Sequence, residues 1–139
     1  MSLTEEEKES LANSAGLTLR AGGDFFCAFG QFIKKYKIKH PPEISERMFS
    51  HMKHDLIPQK NALLAVIAGT DAKKDEADKL LRLAGYVLSD SVAFDVIIGW
   101  IFENVSAESL EISRTAYINE ILESFGFPLL GTREKKSDN

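Results

Sequence analysis

The residues best suited to chemistry in this chain collect between residues 31 and 60, which hold all three histidines. His51 lies three residues before His54 and four before Asp55, the spacing of neighbours on one helix face. Zinc needs at least a third good ligand, and the remaining candidates nearby are His40, Glu43 and Glu46. We interpret these side chains as solvent-facing polar groups, and we predict neither a metal site nor a cofactor.

The serines and carboxylates do not form a recognisable catalytic pattern. None lies at the spacing of a nucleophile elbow or a phosphate-binding loop, and Gly22-Gly23 is typical of a linker or a helix start. The pairs Asp75/Glu76 and Asp71/Asp78 indicate a solvated helix start, and nothing separates them into an acid and a base. The sequence therefore predicts a protein that is not an enzyme.

The single cysteine, Cys27, stands among Phe25, Phe26 and Phe29. One cysteine excludes an internal disulfide and a multi-cysteine metal cluster. We expect a small buried hydrophobic side chain here, with a reactive thiol as the alternative.

Charge is distributed unevenly. The net charge is −4, whereas residues 31–60, which we call the basic segment, carry seven Lys and Arg against three Asp and Glu, or +4; the rest of the chain therefore carries −8. In one interpretation the basic segment contacts phosphates or bases of DNA. In the other it is the solvated face of a helix and the loop before that helix. The candidate nucleic-acid-binding residues are Lys34, Lys35, Lys37, Lys39, Arg47, His51, Lys53 and Lys60.

Hydrophobic spacing predicts an all-α, single-domain helical bundle, with apolar residues recurring at intervals of three and four. Thr4 and Glu7 form a capping-box pattern for a short acidic helix, and Asp24 is placed to cap the next. Pro42 suits the first turn of a third helix, and Ser89 or Ser91 can cap a later one. We expect the run before Gly69 to be the most buried helix, and the core to include Phe94, Ile97, Leu122 and Phe125.

Two runs carry a resemblance to a known family. Ala84 to Ile98, with Gly85 and Ser89-Asp90-Ser91, and Ile118 to Gly131, with Ser124-Phe125-Gly126-Phe127-Pro128, resemble the C-terminal part of a helical domain of bacterial proteins. That domain is related to the λ-repressor (Xre-type) helix-turn-helix group and is sometimes attached to macrodomains. The resemblance extends from about Phe29 to Gly131 and implies a λ-repressor-like core with additional C-terminal helices.

By position in that resemblance, the helix that would read DNA lies near Ser45 to His54. The chain departs from the pattern before it, because no glycine occurs between Gln31 and Ala68, and Pro41-Pro42 falls where a scaffold helix and turn would lie. We therefore predict a degenerate helix-turn-helix. Two helices joined by a tight turn between Ile38 and His54 would favour DNA binding, and one fused or buried helix would favour an interaction module.

The C-terminal run Phe127-Pro128-Leu129-Leu130 allows two arrangements. It could fold back over the core of its own protomer, which we favour, or present apolar side chains to a protein partner or a second copy through the C-terminal helices.

We divide the chain into an acidic N-terminal helix and linker (1–23), a helical domain (24–131) and a charged, disordered tail (132–139). No run reaches the roughly 20 apolar residues of a membrane span, and the acidic start differs from a signal peptide, so we expect a cytoplasmic protein. The sequence favours a non-enzymatic regulatory or protein-interaction module, with a sequence-specific DNA-binding transcriptional regulator as the alternative.

Overall fold

The computed structural model describes residues 4–7 and 21–131. Within these ranges it is all-helical and contains no strand, as predicted. The predicted course of the chain through residues 8–20 and the predicted disordered tail lie outside the described residues. Six α-helices follow one another: α1 (Ala21–Tyr36), α2 (Glu46–His54), α3 (Lys60–Ala68), α4 (Lys74–Leu83), α5 (Ala93–Asn104) and α6 (Arg114–Ser124), with a short 3-10 helix at Ala107–Ser109.

Helix α3 forms the centre of the core. Its residues from Ala62 to Ala68 are all buried, and it packs against α4 and α6, as the uninterrupted apolar run predicts. Helix α1 lies against α2 and α4, while α5 lies against α4 and α6. The buried stripe Phe25, Phe29 and Phe32 attaches α1 to this core with the predicted helical period.

Several helix ends have the predicted chemistry. Thr4 and Glu7 bond each other reciprocally as a capping box, through Thr4 N–H to Glu7 Oε1 at 2.9 Å and Glu7 N–H to Thr4 Oγ1 at 3.1 Å. Gly85 and Gly126 follow the last residues of α4 and α6 with φ of +93° and +78°. Such left-handed positions favour glycine because it has no Cβ.

Two predicted helix starts were wrong. Helix α1 begins at Ala21, so Asp24 lies in its first turn rather than before it. Pro42 occupies the second position of a turn in which Ile44 N–H donates to Pro41 O at 3.4 Å, a position where the fixed φ of proline fits well. Ser45 caps α2 instead, because its Oγ accepts from Met48 N–H at 3.1 Å.

The predicted caps of α5 were also wrong. Val92 holds the N-cap position and makes no side-chain capping bond. Ser89 and Ser91 pair with each other, Oγ to Oγ, at 3.1 Å. Asp95, in the first turn of the helix, accepts from Ser89 N–H at 2.9 Å and so connects the preceding loop to the helix.

Two residues that were expected to be buried in the core are exposed to solvent, Cys27 and Phe125. Cys27 is exposed, because it is two residues from both Phe25 and Phe29 and therefore faces away from their buried stripe. Phe125 is 66% exposed, since α6 ends at Ser124 and its ring is left beside that of Phe127, 6.4 Å away between centroids. Of the other predicted core residues, Leu122 is buried, whereas Phe94 and Ile97 are partly buried and pack against the core.

The C-terminal segment folds back, as favoured from the sequence. Leu130 is buried, its N–H donates to Asn119 Oδ1 at 2.7 Å, and Gly131 N–H donates to Asn61 O at 3.2 Å. Gly131 has φ of +120°, and a Cβ at this position would collide with the carbonyl oxygen of Glu43. The segment therefore closes against both α3 and α6.

Candidate functional site

The basic segment covers the end of α1, the connection to α2, and α2 itself. Four of its predicted nucleic-acid-binding side chains are exposed and make no ion pair with any residue between 21 and 131: Lys34, Lys37, Lys39 and Arg47. Lys37 and Lys39 line a cavity of about 330 Å³ together with Ser113, the N-cap of α6. This group is the part of the predicted site that remains available to an anion.

Lys35 is held by a different contact. Its Nζ lies 3.0 Å from Glu76 Oε2, and the other oxygen of that carboxylate accepts from the Tyr36 hydroxyl. The hydrogen bond to Glu76 raises the pKa of Lys35, while burial, followed by the bond to Glu76, raises the pKa of Tyr36. The three side chains connect α1 to α4.

Lys60 belongs to another side-chain network. It donates to both carboxylate oxygens of Asp95, at 3.0 and 2.9 Å, and the Asp95 side chain is only 6% exposed. Because a buried carboxylate needs a partner, Lys60 serves to connect the start of α3 to the start of α5. Its predicted role in nucleic-acid binding is in conflict with this pairing.

Two basic side chains of α2, His51 and Lys53, contact residues of the same helix or its C-cap. His51 Nδ1 lies 2.9 Å from Asp55 Oδ1, and Lys53 lies over the ring of Phe49. His40, in the connection, donates from Nε2 to Ile44 O at 2.6 Å. In the part of the chain that the structure describes, no three His, Cys, Asp or Glu side chains converge to hold a metal ion.

The tight turn of a helix-turn-helix is not present between α1 and α2. Between Ile38 and His54 the chain forms one helix, α2, and the connection from α1 spans the nine residues 37–45. A helix-turn-helix joins its two helices by a turn of about three or four residues. Phe49 and Met52 are buried against the bundle, while Arg47 and Lys53 remain on the outer face. The outer face of α2 is thus exposed, but the connection before it is longer than the motif requires.

Helix α5 exposes an apolar stripe that the sequence analysis did not identify. Three exposed apolar side chains follow one another at intervals of four, one at the N-cap and two on the same face of the helix: Val92 (49% exposed), Val96 (45%) and Trp100 (60%). The opposite face, with Ile98, Ile101 and Phe102, is buried. The sequence signal was present in the apolar residues found all around this helix, which is typical of a helix covered on both sides.

A groove of about 310 Å³ runs beside this stripe. Its apolar lining comes from Leu88, Val96, Gly99 and Trp100, and its polar lining includes Asp90 and Glu103. Gly99 lies close to another lining residue, since a Cβ there would lie 3.1 Å from Cε of Lys74, and the lysine side chain would have to shift by a few tenths of an ångström. Lys74 itself pairs with Asp78 at 3.0 Å, and this bond raises its pKa.

Arg114 is the most unusual buried group, and the sequence analysis missed it. The residue is only 1% exposed. Its guanidinium donates to three backbone carbonyls: Ala68 O at 3.0 Å, Val105 O at 3.1 Å and Ala72 O at 2.8 Å. It also lies 4.9 Å from the centroid of the Phe102 ring. Burial lowers the pKa of Arg114, and the charge of Asp71 opposes that change. All these acceptors are backbone carbonyls, so Arg114 acts as a structural connector.

The cavity between the α1–α2 connection and the C-terminal segment offers little for catalysis. It measures about 520 Å³, with Glu43 as its titratable side chain. Asn119, which also lines it, is engaged with the backbone of Leu130 at 2.7 and 3.3 Å. A general acid and base pair would require a second convergent titratable group.

Comparison with protein-family models, with curated proteins and with solved structures finds no match to this chain. None of the helices in the described ranges is both long and apolar enough to cross a lipid bilayer. The geometry of the described residues therefore carries the functional argument.

Proposed function

We propose that this chain is a non-enzymatic protein-interaction module of λ-repressor-like, helix-turn-helix descent, and that the exposed face of α5 is its contact surface. The observation that carries the proposal is the stripe of Val92, Val96 and Trp100 beside a groove of about 310 Å³. A large aromatic side chain that is 60% exposed among valines is costly to leave in water. Aromatic residues of this kind are frequent anchors of protein interfaces.

The nine-residue connection before α2 supports the same choice. Specific DNA reading depends on how the second helix is presented to the major groove, and a long connection containing Pro41-Pro42 does not impose that geometry. Lys60, one of the predicted DNA contacts, forms an ion pair with Asp95.

Site-specific photocrosslinking tests the proposed surface. A photoreactive amino acid is placed at Val96, or as a control at Glu120, which is exposed on α6. In extract of the source organism we expect a discrete protein adduct from position 96 that disappears when Trp100→Glu is added, and none from position 120. No adduct at position 96, or the same adducts from both positions, would refute the α5 surface.

DNA binding is the second candidate, favoured by four exposed cations that form no ion pair with the residues between 21 and 131: Lys34, Lys37, Lys39 and Arg47. Such residues contact phosphates and give affinity without sequence information. This function predicts binding that depends steeply on salt and that weakens when Lys34 is replaced by Ala.

A further inference from the structure

We infer that the groove beside α5 takes a basic amphipathic helix of a partner protein, an inference that rests on the proposed function. Val92 and Trp100 are eight residues apart, which corresponds to about 12 Å along a helix at 1.5 Å per residue. A stripe of that length matches about two turns of a partner helix. Its anchors would be apolar side chains at positions i, i+4 and i+8, the spacing by which helices occupy apolar grooves.

The charge of the partner follows from the rim of the groove. Asp90 and Glu103 are both exposed and line the groove, and neither carboxylate makes a hydrogen bond or ion pair with any side chain between 21 and 131. The cation of the groove, Lys74, pairs with Asp78, and its charge also interacts with the charges of Asp90 and Glu103. One cation shared among three carboxylates leaves the rim acidic, so this rim and its apolar floor are complementary to Lys or Arg side chains beside apolar anchors.

The same charges argue against a second copy of this chain as the occupant. In a two-fold dimer the same surface of both copies meets, so the Asp90 and Glu103 carboxylates of one copy would approach those of the other. Like charges brought together at an interface disfavour association. Lys74 is shared among Asp78, Asp90 and Glu103, so its single charge offsets only part of this repulsion.

The binding test uses two designed 20-residue helical peptides. Both carry Leu at i, i+4 and i+8, with these anchors flanked by Lys in one peptide and by Glu in the other. Anisotropy of the labelled peptides reports binding, and emission of Trp100, the one tryptophan of the chain, reports its location. We expect saturable binding of the Lys peptide with a shift of Trp100 emission, and at least tenfold weaker binding of the Glu peptide.

Matched variants locate the effect. Asp90→Asn with Glu103→Gln should remove most of the tenfold preference, whereas Glu120→Gln with Glu123→Gln, the same charge change on α6, should leave it in place. Val96→Lys should abolish binding of the Lys peptide. Circular dichroism of each variant checks that it is folded.

Each outcome decides the inference. Equal affinity for the two peptides, or no binding of the Lys peptide, overturns the basic helix as partner. If the photocrosslink at position 96 persists in either case, the α5 surface stands and only the partner chemistry is wrong. If the Lys peptide does not bind and no adduct forms at position 96, the proposed function is refuted as well.

Discussion

Arg114 shows how a single residue can hold several elements together. Its guanidinium bonds carbonyls at the end of α3, in the loop before α4 and just after α5, while its own backbone starts α6. A cation in the first turn of a helix opposes the helix dipole. Carbonyls at the C-terminal end of α3 are where a cation is favourable, which explains why the side chain turns inward.

Arg114→Met should lower the free energy of unfolding by about 3 kcal/mol or more, because it leaves several buried carbonyls without donors, each costing about 1–3 kcal/mol. Chemical denaturation followed by circular dichroism measures the change. Arg114→Lys, which keeps the charge and some of the donors, should lose less. A loss below about 1 kcal/mol for Arg114→Met would show that water satisfies these carbonyls.

Tyr36 and Lys35 give the fold a pH dependence in the alkaline range. Both pKa values are raised, that of Tyr36 by burial first and that of Lys35 by its hydrogen bond to Glu76 first. A group whose pKa is raised by folding contributes stability that is fully present below its unfolded pKa, about 10 for Tyr and 10.4 for Lys, and is lost as pH rises through the folded value.

We therefore expect the free energy of unfolding to fall as the pH rises above about 10, and Tyr36→Phe to reduce the steepness of that fall. Urea denaturation between pH 8 and 11 measures it. Glu76→Gln, which removes the carboxylate charge and one of its two acceptor oxygens, should also reduce the fall. An unchanged slope in Tyr36→Phe would mean that this tyrosine does not couple folding to pH.

At the scale of elements, α1 ends in an unusual way. Lys37 has φ of +52°, and the N–H groups of Lys37 and Ile38 donate to the carbonyls of Lys34 and Ile33. This is the pattern of a helix ended by a left-handed residue, a position that normally belongs to glycine. A lysine here carries the steric cost of its Cβ in the left-handed region.

Lys37→Gly should raise the free energy of unfolding by about 0.5–1 kcal/mol, because the relief of left-handed strain exceeds the added entropy of glycine in the unfolded chain. Thermal and urea denaturation measure the change, with Lys39→Gly as the control for loss of a neighbouring charge. A destabilised Lys37→Gly protein would show that the Lys37 side chain makes contacts worth more than the strain.

The elements that sequence reasoning predicted are those with strong local signals. Apolar runs at helical spacing located α3 and the buried face of α1, and glycines located the ends of α4 and α6. Errors arose where a local turn or tertiary contacts decided the outcome. Pro42 lies in the turn before α2, and the return of the chain after Gly126 leaves the ring of Phe125 exposed.

The candidate site was less predictable for the same reason. Composition indicated the basic segment, but only the fold shows that Lys35 and Lys60 are paired with acidic residues 41 and 35 positions away in sequence. The α5 stripe could not be separated from core by periodicity, because that helix is apolar on both faces.

For the whole molecule, opposite charges are concentrated in different parts of the sequence. The basic segment carries +4 and the remainder −8, while the acidic groove beside α5 and the cations around the α1–α2 connection lie on different elements. A polyanion attracted to the basic segment is repelled by the net negative charge of the rest of the chain, and salt screens an attraction of this kind.

The last prediction concerns DNA binding by the whole chain. In anisotropy titrations with mixed-sequence duplex DNA, we expect micromolar or weaker binding that is lost near physiological salt, without sequence preference. Lys34→Ala should reduce by roughly 1 the magnitude of the slope of log K against log salt concentration, because it removes one phosphate contact. Lys35→Ala should change this slope less, since that ammonium is paired with Glu76. Trp100→Glu, on α5, should change neither slope nor affinity for DNA beyond the effect of one added charge. Submicromolar, sequence-selective binding at physiological salt, with a loss of about 1–3 kcal/mol on the preferred site for Arg47→Ala, would instead establish α2 as a DNA-reading helix.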